Sequence, residues 1–335
     1  MSNVLSPNEH NMKRFRKHLA ILAIACGTIG QSVFAQEAEV FPNKPVRIIV
    51  PAPAGGASDS AARQVAQALV AAWGQQVIVE NKPGASGAVA AQVVLGARSD
   101  GYTLLWGQGS MAGLPMVQRN SPFRSLGEFA PVVNVVQFGF AMFANKDLPF
   151  KSVAEFATYG KANPGKLNYA TGSLGEYMAG THVLEALAIQ AVRIPYKGGV
   201  QLMPDLISGQ VQINFGPIQS GISHVKAGKL KVIATLQSQR SALLPDVPTF
   251  TEYGVSAGNT PTWNGIFAPP GTPSAITENI ASAVNRALKA PAVRSALEQQ
   301  GAEPLGGTPQ QLAAAVEAAT ATWQAFVRNH AIPQE

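Results

Sequence analysis

The sequence predicts an α/β fold of two lobes, each a mostly parallel sheet flanked by helices, with a cleft between the lobes. Three observations predict it. From residue 41 onward, short apolar runs typical of buried strands alternate with segments of helical periodicity. The chain has 335 residues, which is enough for two domains of ordinary size. Two connecting stretches, 131–147 and 263–273, join the halves that are rich in these elements.

The first strand, turn and helix lie between residues 46 and 73. Residues 46–50 form a β-branched run between prolines, which is typical of a buried strand. The turn 54–56 has almost no side chains, and Ser58 or Asp59 can cap the helix expected over 58–73. Such a turn presents backbone N–H groups at the positive end of a helix dipole, which suits an anion. The alternative is an ordinary βα turn, in which the glycines serve only the backbone geometry.

The other elements follow in alternation. Further strands are expected at 76–80, 102–106, 132–143, 167–171, 191–196, 211–216, 230–237 and 262–268. Further helices are expected at 87–97, 152–162, 175–189, 199–208, 217–227, 274–289, 291–300 and 309–329. Alternation of this kind favours parallel sheets covered by helices.

A second small turn, 172–176, follows the strand expected at 167–171 and precedes a helix. Ser173 and Glu176 have the spacing of a capping box, in which the glutamate accepts the N–H of the capping residue. The pattern favours capping for Glu176 over direct ligand contact, and both interpretations stay open. Together the two turns predict two anion-binding sites, one in each lobe.

The N-terminal segment, residues 1–35, has the pattern of a cleavable export signal. A positive region at 12–17 precedes an apolar stretch at 19–30, and Ala35 is a small residue of the kind that a signal peptidase reads. Cleavage there removes Cys26, the only cysteine, so the exported protein would have no disulfide. Lipid attachment at Cys26 is the less favoured alternative.

Composition excludes several partners and activities. The formal net charge is +6, and removing residues 1–35 takes away four positive and one negative side chain, which leaves +3. No basic cluster with interleaved aromatic residues follows, so we expect no nucleic-acid partner. The five histidines are scattered, and the sequence has no metal-ligand spacing, nucleophile elbow or phosphate-binding loop. We therefore expect no metal, no cofactor, no catalytic residue and no enzymatic activity.

Nine segments carry a family resemblance, and they follow one another in order over nearly the whole exported chain. They are FPNKPVRIIVPAPAGGASDSAAR (41–63), GQQVIVENKPGASG (74–87), SDGYTLL (99–105), NPGKLNYATGSLG (163–175), IPYKGG (194–199), SGQVQINF (208–215), AGKLKVIA (227–234), LPDVPTFTEYG (244–254) and WNGIFAPPGTP (263–273). The sequence resembles the extracytoplasmic solute receptors of tripartite tricarboxylate transporter systems, the Bug proteins.

The resemblance implies a periplasmic binding protein fold of type II-like architecture. Lobe 1 would comprise residues 36–140 and 265–335, and lobe 2 residues 141–264. It also implies a monomeric periplasmic receptor that captures a small carboxylic acid, either aromatic or dicarboxylic, and delivers it to membrane transporter subunits. Alternatives are a ligand sensor that acts with a membrane signalling protein and, less favoured, a hydrolase or isomerase on the same scaffold.

In the family, backbone amides of the two small turns hold most of the ligand. The corresponding residues here are Ala54, Gly55, Gly56, Ser58 and Asp59 in the first turn, Thr171, Gly172, Ser173 and Gly175 in the second, and Ser110, Asn214 and Phe215 nearby. Four positions depart from the family pattern, among them Ser173, where the family has a glycine, and Ala179, where it has a histidine. Ala52 replaces a bulky aromatic residue, which would widen the pocket, and Glu176 replaces a hydroxyl residue. Both complete the set of expected ligand-binding residues.

Overall fold

The structure is a computed structural model that describes residues 41–256 and 260–330, together with Ile332 and Gln334. The predicted export signal and Cys26 lie outside the described residues. In the described part, the helices are α1 Ala57–Trp73, α2 Ala88–Leu95, α3 Leu114–Val117, α4 Val153–Ala162, α5 Leu174–Ala186, α6 Gly199–Ser208, α7 Ile218–Lys226, α8 Ser274–Lys289, α9 Pro291–Glu298 and α10 Pro309–His330.

The strands are β1 Val46–Val50, β2 Val77–Asn81, β3 Thr103–Gln108, β4 Ala130–Phe138, β5 Phe140–Asn145, β6 Leu167–Thr171, β7 Ala191–Pro195, β8 Ile213–Pro217, β9 Leu230–Thr235, β10 Trp263–Ala268 and β11 Ala302–Pro304. Most predicted elements are confirmed within a few residues. The short β11 and α3 have no counterpart among the predicted elements.

The strands form two mixed sheets. The first has the order β11-β4-β10-β3-β1-β2, and the second has the order β7-β6-β8-β5-β9. Strand β1 pairs in parallel with β2 and β3, and β6 pairs in parallel with β7 and β8. The pairs made by β4, β5, β10 and β11 are antiparallel. The sheets are therefore mixed rather than mostly parallel. Parallel pairing occurs among the strands that helices connect, since parallel neighbours need such a crossover.

The chain passes from the first sheet to the second at Gly139. The single run expected at 132–143 is divided there into β4 and β5. A Cβ at Gly139 would overlap the end of the Gln237 side chain, so a larger residue there would require that side chain to move. The chain returns to the first sheet between β9 and β10. The predicted lobe boundaries, 140/141 and 264/265, stay predictions.

Helices from both ends of the chain cover the first sheet. Small residues of α1, among them Ala61, Ala62 and Ala66, are buried in the core that includes β1. On α10, the buried side chains include Trp323, which packs on Gly113 so closely that a Cβ there would overlap the indole. No helix in the described part of the chain combines the length and apolar character that a bilayer crossing requires.

Candidate ligand-binding site

A cavity of about 480 Å³ lies where β1 and β6 end and where α1, α5 and α6 begin. Its volume falls in the range of small-molecule sites, roughly 300–1,000 Å³. Both sheets contribute to its wall. The residues that line it include Ala52, Pro53, Gly56, Ala57, Ser58, Gln108, Ser110, Thr171, Gly172, Ser173, Gly175, Glu176, Arg193, Tyr196, Lys197, Gly198 and Asn264.

Asp59 holds the first turn through hydrogen bonds and lies outside the cavity. Its carboxylate accepts hydrogen bonds from Gly55 N at 2.9 Å, Arg63 Nε at 3.0 Å and Asn81 Nδ2 at 2.8 Å. Burial raises the pKa of Asp59, but the hydrogen bonds from Arg63, Gly55 and Asn81 outweigh it, and the pKa falls below its usual value. Asp59 is 3 % exposed and does not line the cavity. Asp59 therefore shapes the turn as an ionised group.

Ser58 is held by a buried polar network that joins α1 to β3 and β10. Its hydroxyl donates to Asn264 Oδ1 at 2.9 Å and accepts from Gln108 Nε2 at 3.1 Å. Trp106 Nε1 donates to the same Asn264 oxygen at 3.1 Å. The N–H groups of Ala57 and Ser58 lie in the first turn of α1 and therefore have no intrahelical acceptor. The N-cap residue is Gly56, and no side chain caps this end of the helix.

The second turn carries the predicted helix cap with one change. Ser173 Oγ accepts the N–H of Glu176 at 3.2 Å, as expected for the N-cap. The carboxylate of Glu176 accepts the N–H of Gly172 at 2.8 Å, rather than that of Ser173. Its other partner is Asn214 Nδ2 at 2.9 Å, on β8. Glu176 is thus both a capping residue and part of the cavity wall.

The pKa values of Glu176 and Asp59 shift in opposite directions. Glu176 is 4 % exposed, and burial raises the pKa of its carboxyl group to about 7, although the hydrogen bonds from Gly172 and Asn214 lower it. Neither of those partners carries a charge. A proton is therefore gained or lost by Glu176 near neutral pH, whereas Asp59 stays ionised.

Gly198, just before α6, lies close to Gly172 of the second turn and to Pro53 just before the first. A Cβ on Gly172 would lie 2.6 Å from the backbone carbon of Gly198. A Cβ on Gly198 would lie 2.5 Å from Pro53 Cδ. Side chains at these two glycines are excluded, because Gly172 lies against the backbone of Gly198 and Gly199, and Gly198 lies against the ring of Pro53.

Nine of the predicted residues line the cavity: Ala52, Gly56, Ser58, Ser110, Thr171, Gly172, Ser173, Gly175 and Glu176. Their contact with a ligand stays a prediction. The structure places the other five, Ala54, Gly55, Asp59, Asn214 and Phe215, outside the lining.

The positions of these five have physical reasons. Ala54 and Gly55 lie exposed on the outer side of the turn. The N–H of Gly55 is already bonded to Asp59, just as the N–H of Gly172 is bonded to Glu176. Asn214 is 1 % exposed and supports Glu176, and Phe215 is a core ring against Tyr169 and Phe250. The backbone donors expected at Gly55 and Gly172 are therefore taken by the chain itself.

Sequence reasoning missed the positive side chains of the cavity. Neither turn contains an arginine or lysine, yet Arg193 and Lys197 line the wall from β7 and the segment after it. Arg193 Nε donates to Thr171 Oγ1 at 3.1 Å, and its guanidinium lies 4.0 Å from the ring centre of Tyr177. Lys197 lies in the motif at 194–199, which could have indicated it. Arg193 precedes that motif, and only the pairing of β6 with β7 places it beside the turn.

Tyr196 is the aromatic residue of the same wall. Its hydroxyl donates to Asp205 Oδ2 at 2.6 Å, and burial together with Asp205 raises its pKa to about 12. The phenol is therefore neutral at physiological pH and fixed in place. Across the described residues, no three His, Cys, Asp or Glu side chains are grouped as metal ligands would be.

Comparison with known proteins agrees with this architecture. Residues 61–332 match the model of the tripartite tricarboxylate transporter family receptor. Protein BugT of Bordetella pertussis is 32% identical over 327 residues, which is 95% of this chain and 98% of BugT. A UPF0065 protein from the tcbD-tcbE intergenic region of Pseudomonas sp. (strain P51) is 31% identical over 96% of both chains.

Solved structures give the same result. The periplasmic binding protein BugD is 30% identical and superposes with a TM-score of 0.82, over 88% of this chain and 100% of that one. MatC from Rhodopseudomonas palustris, with bound malate, is 30% identical with a TM-score of 0.80, over 86% and 100%. An R. palustris protein with adipate is 29% identical with a TM-score of 0.84, over 88% and 100%.

BugD is a periplasmic binding protein, and the matched family is one of transporter receptors rather than enzymes. The match covers most of the chain, from within α1 to beyond α10, and it includes the second turn of the cavity. The chain therefore belongs to the tripartite tricarboxylate transporter receptor family, the family of the Bug proteins.

Proposed function

We propose that this protein captures a small carboxylic acid in the cavity between its two sheets and delivers it to a tripartite tricarboxylate-type membrane transporter. The observation that carries the proposal is that two helices, one from each sheet, begin at this one cavity. First-turn N–H groups of Ala57 and Ser58 belong to α1, and those of Leu174 and Gly175 belong to α5. Both helix dipoles therefore favour an anion there.

The charged side chains support the same ligand class. Arg193 and Lys197 add two positive charges to the wall, and Glu176 adds one carboxyl group that burial drives towards its neutral form. The solved relatives with adipate and with malate hold dicarboxylates. A small dicarboxylate fits the cavity volume and uses donors from both sheets.

A thermal-shift screen of the exported protein tests the ligand class. The panel is succinate, malate, adipate, citrate, benzoate and glutamate, since a ligand that binds only the folded state raises the melting temperature. We expect a clear rise with at least one of the dicarboxylates. If none of the carboxylates raises it, the proposed ligand class is wrong. Uptake of the radiolabelled ligand by cells with the transporter subunits, with and without this protein, tests delivery.

A matched pair of variants tests the place of binding. Ala52 lines the cavity, whereas Ala54, two residues on, is exposed outside it. Ala52→Phe fills part of the cavity, so we expect the affinity for adipate to fall about tenfold or more, which is about 1.4 kcal/mol. It should affect a larger ligand more than compact malate. Ala54→Phe should bind like wild type, and equal losses in both variants would place the ligand elsewhere.

A further inference from the structure

One oxygen of a buried carboxyl group is left for the ligand. Oε2 of Glu176 accepts both of its protein hydrogen bonds, from Gly172 N and from Asn214 Nδ2. Among the described residues, no hydrogen bond reaches Oε1. Since Glu176 is 4 % exposed and lines the cavity, Oε1 is the polar atom that it offers to a bound molecule.

Few ionisable groups surround Glu176. Helix α5 packs on β6, β8 and residues 109–113, and the ionisable side chain among these is Tyr169. Helix α10 touches α5 through the rings of Tyr177 and His182, which are themselves ionisable side chains of α5. The ionisable side chains of α10 are Glu317, Arg328 and His330, of which His330 pairs with Glu185 of α5. The ionisable groups that line the cavity beside Glu176 are Arg193, Lys197 and Tyr196.

An anion in this cavity makes the ionised form of Glu176 costly. Two carboxylates in contact within a poorly solvated site do not both stay ionised, and the pair holds a proton between them. Burial already brings the pKa of Glu176 to about 7 in the unliganded protein. A ligand carboxylate beside it raises that pKa further, because the neutral form no longer repels the ligand.

We propose that Glu176 contacts the ligand directly and takes up a proton from solvent on binding, so that its protonated Oε1 donates a hydrogen bond to a carboxylate oxygen of the ligand. Oε2 continues to accept from Gly172 and Asn214, so no protein hydrogen bond is broken. The inference rests on the proposed function, since it needs a carboxylate ligand. It makes Glu176 a specificity-determining residue that prefers a ligand acceptor at this position.

An ionised Glu176 facing a ligand ammonium group is the opposing arrangement. Arg193, Lys197 and the two helix N-termini disfavour a ligand cation in this cavity. The two arrangements also give opposite pH dependence. Proton uptake makes binding weaker as pH rises above neutrality, whereas a salt bridge to an ammonium group makes it stronger.

Isothermal titration calorimetry of the wild-type protein with adipate and with malate measures the proton directly. Titrations in phosphate and in Tris, which have different heats of ionisation, give the number of protons taken up per ligand. We expect about one proton at about pH 8 and few at about pH 6, where Glu176 is already protonated. Above about pH 7, the dissociation constant should rise about tenfold per pH unit.

Two glutamine variants separate this carboxyl group from others. In Glu176→Gln, the amide oxygen keeps the bonds to Gly172 and Asn214, and the amide N–H₂ replaces the donor towards the ligand. We expect binding without proton uptake and with an affinity that is independent of pH. Glu155→Gln is the control, since Glu155 accepts the N–H of Lys151 behind the N-cap Ser152 in the same geometry, but lies exposed and outside the cavity. It should take up protons like wild type.

The outcomes distinguish the two proposals. Binding by the wild type without proton uptake, or with an affinity that rises with pH, overturns the role of Glu176 and leaves the proposed function standing. Absence of binding to either acid at about pH 6, where Glu176 is neutral, counts against the proposed function, and this inference falls with it. Because the wild-type proton count decides the matter, the test does not depend on the folding of the glutamine variant.

Discussion

Two acidic side chains hold the two turns of the cavity in the same way, and their different surroundings give them different chemistry. Asp59 and Glu176 each accept the N–H of the residue four positions earlier, Gly55 and Gly172. Arg63 also contacts Asp59 and keeps it ionised, whereas Glu176 is bonded to uncharged groups. Burial therefore dominates at Glu176 alone, and this residue carries the pH dependence.

We expect the free energy of unfolding to depend on Glu176 between about pH 4.5 and 7. The pKa is higher in the folded protein, about 7, than its ordinary value of 4.5, so the folded state binds the proton more tightly. The stabilisation is fully present below the ordinary pKa and is lost as pH rises to about 7, by at most about 3 kcal/mol. Glutamine cannot ionise, so Glu176→Gln should abolish this part of the loss.

Urea denaturation at about pH 5 and about pH 8 measures the effect, because the difference between wild type and Glu176→Gln isolates one group. Glu155→Gln serves as the control and should keep the wild-type difference. A Glu176→Gln protein that loses as much stability as wild type between the two pH values would show that Glu176 is solvated and titrates normally.

At the scale of elements, a strand, a short turn and a helix start form each half of the site. In the second half, Ser173 caps α5 and Thr171 ends β6, so the turn between them is tightly defined. Gly172 lies in this turn against the backbone of Gly198 and Gly199. The close approach joins the end of β6 to the start of α6, and it requires a residue without a side chain.

Gly172→Ala should therefore destabilise the protein. The added Cβ would lie 2.6 Å from Gly198 C and 2.7 Å from Gly199 N, and backbone atoms cannot swing aside as a flexible side chain can. We expect a loss of about 1–3 kcal/mol in the free energy of unfolding. The control is Gly199→Ala, where the nearest atom, Ser220 Oγ, would lie at 3.5 Å, an ordinary contact. Similar losses in both would mean that the turn adapts freely.

At the scale of the whole molecule, the C-terminal helix completes the first sheet. Helix α10 packs on β4 and on residues 109–113, with Leu312, Val316, Ala319, Trp323 and Phe326 buried. The same 109–113 segment brings Ser110 to the cavity. Helix α10 therefore supports the wall of the cavity that contains Ser110.

Trp323→Ala should cost about 3–5 kcal/mol of unfolding free energy, because it leaves a cavity in the core between α10 and Gly113. The neighbouring Gln324→Ala changes an exposed side chain and should stay within about 0.5 kcal/mol of wild type. Chemical denaturation of both variants gives the comparison. A loss below about 1 kcal/mol for Trp323→Ala would show that α10 is not integral to the fold.

Local signals in the sequence determined the elements and their caps. The run 46–50 became β1, and Ser152 and Ser173 cap α4 and α5, because these features depend on contacts within three or four residues along the chain. The ordered motifs were also enough to identify the family. The crossing at Gly139 was obscured, since an apolar run gives no sign that its two halves join different sheets.

Only the tertiary structure decided which groups the site offers to a ligand. Glu176 and Asn214 are 38 residues apart in sequence, and their hydrogen bond exists because α5 packs on β8. Arg193 reaches the cavity through the register of β7 on β6. Whether a backbone N–H is available, as at Ser58, or already bonded, as at Gly55, depends on where side chains settle in the folded molecule. Such availability is set by packing in three dimensions, which residue type and spacing do not encode.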